Sequence, residues 1–272
     1  MTTKRNPQAQ QMADESMVRN LAAQASAIWP QEEPLFARYT LRTDAHIADI
    51  GCGSGEITAR LAALYPHAQI VGVDILEGPI TYARKRYTSL APRVRFEQGD
   101  AFELRLPSDS FDLVTCRHMT QAIPEPERAL AELARICRPG GWLHVLSEDY
   151  GMMHTPVGTL DTDRLWHQGA IAFATATGTD ARVGRRTCSL LKRLGLVDLR
   201  VDYAIVDTLR VPRETFASII EAWRDGYTNA IGDSTALGRR ETRALFEQAI
   251  AGIRNPHEYA VWHVPIVSGR KP

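Results

Sequence analysis

Apolar residues recur along this chain in two periods. Between residues 46 and 146, short apolar runs alternate with stretches of helical spacing. The runs 47–50, 69–73, 93–96, 112–116 and 142–146 read as strands, and 56–64, 79–87 and 126–137 as helices. The last of these helices turns Leu130, Leu133 and Ile136 to one side, and Arg138-Pro139-Gly140-Gly141 ends it. Pro79 is expected at a first helical position behind Gly78 as cap. Strands interleaved with helices of this length predict a parallel sheet covered on both faces.

The flanks are less regular. Residues 1–11 are polar and read as frayed. A helix is expected over 13–28, with Val18, Leu21, Ala25 and Ile28 on one face, broken by Pro30 and Pro34 before a short helix over 35–41. Beyond residue 146 the pattern predicts helices over 160–175 and 184–194, the latter ended by Gly195. A strand over 197–206, helices over 212–227 and 235–253 and a closing strand over 259–267 follow. There is no internal repeat or low-complexity tract. The economical division is one domain over 1–272: a helical cap (1–44), an α/β core (45–206), a helical insertion (207–256) and a final strand (257–272).

Composition narrows the class. Of 272 residues 44% are hydrophobic and 24% charged, which fits a globular chain and opposes disorder. Lys plus Arg equals Asp plus Glu at 32 each, so nothing in the net charge calls for nucleic acid or an acidic membrane. Cys52, Cys116, Cys137 and Cys188 lack CxxC spacing. With no signal-like or membrane-length apolar run, reduced thiols in the cytoplasm are the expectation.

The segment richest in chemistry is Asp49-Ile50-Gly51-Cys52-Gly53-Ser54-Gly55, between a strand and a helix. Such a loop lets backbone approach a ligand closely at a helix start with free N–H groups. A dinucleotide fingerprint would place its third glycine at position 56, which is Glu56. Asp49 is a poor neighbour for a pyrophosphate and a good one for the sulfonium and ammonium groups of S-adenosylmethionine.

These residues resemble the first motif of class I S-adenosylmethionine-dependent methyltransferases. Val71-Gly72-Val73-Asp74, Gly99-Asp100-Ala101, Phe111-Asp112-Leu113-Val114 and Arg138-Pro139-Gly140-Gly141 resemble the family's later segments in order, over about residues 45–147. The flavour is that of quinone-biosynthesis and other small-molecule methyltransferases. The resemblance implies a Rossmann-like, doubly wound sheet of seven strands, mostly parallel with the last antiparallel. It assigns the cofactor to Asp49, Gly51, Gly53, Gly55, Asp74, Ile75, Asp100, Ala101 and Arg117. Asp74 would take the ribose diol and Asp100 the adenine amino group. Leu76 departs from the polar cap usual after the second-strand acid. By resemblance the N-terminal segment, with Ile28 and Trp29, would fold over the cofactor as a lid.

Methyl transfer needs positioning above all, and a base only where the acceptor loses a proton. His118, after the fourth strand, is the candidate base. Tyr150, His154, Trp166, Trp223 and Tyr227 are candidates for a small-molecule acceptor. The stripe Phe216, Ile219, Ile220, Trp223 and Tyr227 reads equally as core. Glu148, Asp149 and His154 could be ligands or an ordinary polar loop, and no metal-site spacing is present. Cys52 reads as packing rather than nucleophile. Each acid has a structural alternative: Asp49 as a cap, Asp74 as a solvated strand end, Asp100 as a turn residue. A nucleic-acid methyltransferase lacks its Pro-containing signatures after the fourth strand. A nicotinamide oxidoreductase fits the glycines poorly. A non-catalytic cofactor-binding protein, or non-methyl chemistry on this fold, stays open. The added helices could equally build a homodimer interface.

Overall fold

The computed structural model describes residues 6–8 and 15–272. The alternation seen in the sequence becomes one sheet. Its strands are β1 (His46–Ile50), β2 (Gln69–Asp74), β3 (Val94–Gln98), β4 (Phe111–Arg117), β5 (Cys137–Leu146), the two-residue β6 (Met153–His154), β7 (Val197–Asp207) and β8 (Val261–Arg270). The order runs β3-β2-β1-β4-β5-β8, with β7 on the far side of β8. The first five strands pair in parallel, and β8 is antiparallel to both β5 and β7. This is the expected seven-stranded arrangement. The unexpected β6 adds a short pairing to the start of β8, where Trp262 has Met153 on one side and Val206 on the other.

The helices are α1 (Glu15–Glu32), α2 (Glu56–Leu64), α3 (Glu77–Arg86), α4 (Pro126–Ile136), α5 (Ile171–Ala176), α6 (Gly184–Arg193), α7 (Arg213–Ser234) and α8 (Gly238–Arg254). Central β4 is buried at every residue, as a strand covered on both faces must be. Period-two alternation splits β1 between two cores. Ile47 packs with Leu61, Ile70, Ile80 and Leu113, while Ala48 and Ile50 pack with Val71, Val114, Leu130 and Leu133. A third core joins α1, α7 and α8 to β7 and β8 through Ile28, Phe216, Ile219, Ile220, Phe246 and Trp262.

Several boundaries differ from expectation, each for a local reason. Pro30 does not end α1, which continues to Glu32. A proline this near a helix end removes one hydrogen bond, and Ile28, Trp29 and Glu32 are held by burial on either side. A 3₁₀ turn over Glu33–Arg38 replaces the short helix. Pro79 is not the first residue of α3. The helix begins at Glu77, and Pro79 sits in the first turn, where an N–H has no intrahelical partner anyway. The helix expected from residue 160 starts instead with a widened π turn over Leu165–Ala170. Asn6 and Gln8 are buried rather than frayed. Residues 1–5 and 9–14, with the expected helix start near residue 13, and the side chain of Val18 lie outside the described residues. Among the described residues no helix is long and apolar enough to cross a membrane.

Candidate active site

Parallel pairing puts the carboxyl ends of β1, β2 and β4 along one edge, where the loops diverge and open a crevice. The turn after β1 fills that edge. Gly51 adopts φ +79°, and a Cβ there would lie 3.1 Å from Met119. Gly55 precedes α2 at φ +81°, where a Cβ would come within 2.7 Å of the Phe96 ring. Asp74 ends β2 and ties the loops together. Its Oδ2 accepts from the Gly53 N–H and its Oδ1 from the Leu76 N–H, both at 2.9 Å. Burial raises its pKa and those N–H groups oppose the rise.

A cavity of about 210 Å³ opens here. Gly51, Gly53, Asp74, Ile75, Asp100 and Ala101 line it, with Arg117 and His118 from the end of β4. Leu76, Phe102, Met119 and Ile123 add apolar wall. Asp100 also caps its own turn, accepting from the Phe102 N–H at 2.9 Å. Two of the cofactor candidates do not line this cavity. Gly55 serves the turn and the packing on Phe96. Asp49 is buried beneath the loop, accepting from Thr58 at 2.6 Å and Thr115 at 3.0 Å. Its burial raises its pKa despite those hydrogen bonds. Asp49 faces a smaller adjoining recess, shared with Gln24, Gly51, Arg117 and His118.

Arg117 is largely committed elsewhere. Its Nε donates to Glu32 Oε1 at 2.9 Å, and its Nη2 lies 2.8 Å from Glu32 Oε2. Glu32 Oε1 is also 2.9 Å from His144 Nε2, and His144 Nδ1 is hydrogen-bonded to the Tyr39 hydroxyl at 2.7 Å. Burial alone would raise the Glu32 pKa. The Arg117 charge and the hydrogen bonds from His144 and Arg117 outweigh it and hold the pKa at about 2, below the ordinary 4.5. Nothing in the run Gln31-Glu32-Glu33 distinguishes Glu32 in the sequence.

His118 follows β4 in the left-handed region, at φ +52°, an uncommon conformation for a residue with a side chain. Its Nδ1 is 2.7 Å from Glu148 Oε1. Its buried Nε2 has no hydrogen-bond partner among the described residues. His118 lines the first cavity and also a second, of about 60 Å³, that shares Leu21 and Ala122 with it. The second cavity brings together Tyr150, Trp166, Trp223 and Tyr227. Tyr150 lies edge-on to Trp223, with centroids 5.2 Å apart, and stacks near Trp166 at 6.2 Å. Burial and the Glu148 charge push the Tyr150 pKa well up, and burial pushes up that of Tyr227, so both keep their O–H.

The remaining candidates lie elsewhere. His154 is exposed on β6, because strand alternation turns Met153 inward and His154 out. Asp149 is held by Arg185 at 2.5 and 2.8 Å and caps the next turn. No group of three metal-ligating side chains occurs among the described residues. Burial raises the pKa of the Cys52 thiol, which keeps it protonated, as packing requires. Phe216, Ile219 and Ile220 are core, and only Trp223 and Tyr227 of that stripe reach the cavity. Ile28 and Trp29 do not cover the site, being buried in separate cores; α1 covers it through Asn20, Leu21 and Gln24. Sequence reasoning missed those three and Gln121 as site residues: Leu21 read only as part of an apolar helix face, and Asn20, Gln24 and Gln121 carry no spacing signal.

The family model described as a methyltransferase domain matches residues 48–145. The chain is 35% identical over 162 residues to trans-aconitate 2-methyltransferase of Deinococcus radiodurans, covering 58% of this chain and 60% of that one. It is 34% identical over 100 residues to demethylmenaquinone methyltransferase of the same organism, covering 37% and 42%. The chain thus spans about half the length of these curated relatives. A solved structure of Haemonchus contortus phosphoethanolamine N-methyltransferase 2, with S-adenosylhomocysteine bound, matches at a TM-score of 0.59 and 18% identity, over 90% of this chain and 53% of that one. That likeness shows the shared fold. Family model, strand order and loop geometry agree over this segment: residues 48–145 match a methyltransferase domain, and the sheet has the fold of the class I methyltransferases.

Proposed function

We propose that the protein transfers a methyl group from S-adenosylmethionine to a small-molecule acceptor, with His118 as general base. The observation that carries this reading is the position of His118 between two cavities, its Nδ1 on Glu148 and its Nε2 unpartnered. The first cavity fits the cofactor chemically. Asp74 keeps carboxylate lone pairs for a ribose diol. Ile75, Leu76, Ala101 and Phe102 offer a flat apolar slot for adenine, with Asp100 at its edge. Asp49, in the adjoining recess, suits an ammonium group. When bound, the cofactor supplies an activated methyl carbon as electrophile.

This chain's residues supply alignment, dryness and a proton sink. In the tautomer this role requires, Glu148 accepts from Nδ1–H and the Nε2 lone pair is left for the acceptor's proton. The acceptor's lone pair forms the bond to the methyl carbon. The sulfur–carbon bond breaks with its electrons left on sulfur, and the acceptor's proton passes to Nε2. Helix α1 closes the site against water. The names of the relatives, which refer to trans-aconitate and demethylmenaquinone, support a small-molecule acceptor over nucleic acid. Four free cysteines support a reducing, cytoplasmic setting.

The test has two parts. Calorimetry should detect S-adenosylhomocysteine binding and none of NAD. Labelled S-adenosylmethionine screened against acceptors should then give turnover that His118→Gln lowers about 10²- to 10⁴-fold, with S-adenosylhomocysteine affinity unchanged. Binding of NAD instead would replace this reading with an oxidoreductase. Cofactor binding with no turnover on any acceptor would leave a cofactor-binding module.

A further inference from the structure

The second cavity carries information about what the acceptor is. Its polar groups divide by what they have left to offer. Several of its donors are engaged within the protein. Trp166 Nε1 donates to Thr155 at 3.3 Å, and the Tyr227 hydroxyl to Gln8 Oε1 at 3.1 Å. Gln8 Nε2 donates to Thr179 at 3.3 Å, and Gln24 Nε2 to Glu148 Oε1 at 3.4 Å. Gln121 Nε2 donates to the His118 carbonyl at 2.7 Å.

The acceptors, by contrast, are left over. Because their nitrogens are turned to protein oxygens, Gln24 and Gln121 keep carbonyl oxygens that are buried and accept no hydrogen bond among the described residues. The unpartnered His118 Nε2 is a third such atom. Buried polar atoms are nearly always satisfied, so a set left open on one cavity points to a ligand that satisfies them. No lysine or arginine lines the cavity among the described residues, and Glu148 does. The rest of the wall is aromatic or small: Tyr150, Trp166, Trp223, Ala170 and Ala174 among others.

We propose that this cavity selects an acceptor that presents hydrogen-bond donors, a hydroxyl or an amine on a flat apolar body, and rejects carboxylates and phosphates. The inference rests on the methyl-transfer reading and narrows its substrate class. A carboxylate here would lose its water, meet no cation and face Glu148 together with open carbonyl oxygens. A donor group satisfies those oxygens and brings its proton to His118 Nε2. A flat body packs on the indole faces, and an ammonium gains cation–π attraction there as well.

The experiment uses the full chain saturated with S-adenosylhomocysteine and titrated with three one-ring probes: catechol, benzylamine and benzoate. Cofactor binding is measured separately, so its failure would strike the methyl-transfer reading and not the selectivity. The expected result is that catechol or benzylamine binds at least tenfold tighter than benzoate. Which of the two is the tighter distinguishes a hydroxyl from an amine acceptor. Gln121→Met, and independently Gln24→Met, should weaken the preferred probe about five- to tenfold, the loss of one hydrogen bond. Affinity for S-adenosylhomocysteine should not change in the Gln121 variant. Benzoate binding as tightly as the donors, no binding by either donor probe, or full affinity in both variants would overturn the proposal.

Discussion

Glu32→Gln tests how the N-terminal helix is held to the sheet. The amide keeps the size of the carboxylate and an oxygen for His144, but it removes the negative charge. Arg117, 7% exposed, then carries a buried charge with only neutral acceptors. Breaking a buried pair from one side typically costs about 3–5 kcal/mol. The depressed pKa of Glu32 reflects the same pairing. A pKa of about 2 against an ordinary 4.5 corresponds to about 3 kcal/mol of differential stabilisation of the charged form. For 272 residues this predicts a fall in Tm of roughly 5–9 °C. The sign of the pH dependence follows. Because the folded-state pKa is depressed, the contribution is complete above about 4.5 and is lost as pH falls toward about 2. Urea midpoints of wild type and Glu32→Gln should therefore differ most near neutrality and converge below pH 4.5. Adding Arg117→Met to Glu32→Gln should recover much of the loss, since the stranded charge is gone. A single-variant cost under about 1 kcal/mol, or costs that simply add in the double variant, would refute this account of the network.

Two further substitutions separate binding from stability. Asp74→Asn should weaken S-adenosylhomocysteine at least tenfold by calorimetry, because the amide cannot accept at both positions as a carboxylate does. Its Tm should also fall, though less than that of Glu32→Gln, because the amide gives up one of the two loop hydrogen bonds, to Gly53 or to Leu76. Gly55→Ala should cost more than about 1 kcal/mol in urea unfolding, since it forces a side chain into positive φ. The same Cβ would also have to displace the Phe96 ring, which lies 2.7 Å away. A neutral result there would mean that the loop relaxes freely.

Strong periodicity made the α/β half readable. Ile47 to Ile50, Gln69 to Asp74 and Phe111 to Arg117 are short apolar runs that only a covered sheet can bury, and the glycines between β1 and α2 mark a turn that side chains disfavour. Those signals are local, so composition and spacing carry them. The errors arose where tertiary packing overrules local preference. Pro30 reads as a stop, yet the burial of Ile28 and Trp29 and the ion pair of Glu32 carry the helix past it. His154 reads as a site residue by its company, but its place on β6 turns it to solvent. Asp49 was legible as an important acid, whereas its hydrogen bonds to Thr58 and Thr115 depend on strand and helix neighbours that no spacing reveals.

The end of β4 explains why cofactor and acceptor halves differ so much in legibility. Arg117 and His118 are adjacent, and the left-handed turn at His118 sends the two side chains to different tasks. Arg117 clamps α1 through Glu32, and His118 joins Glu148 at the boundary of both cavities. The cofactor cavity is walled mainly from within 48–145, the segment the family model matches. The second cavity takes Leu21, Gln24, Trp166, Trp223 and Tyr227 from α1, the turn before α5, and α7, all outside it. A cofactor common to many enzymes constrains its own segment alike in all of them, whereas acceptors differ and their walls are free to diverge. Relatives that match mainly the first segment therefore cannot pass on their substrates. The acceptor of this protein has to be read from its own unsatisfied oxygens, its aromatic faces and the lack of a cation among the described residues that line the cavity.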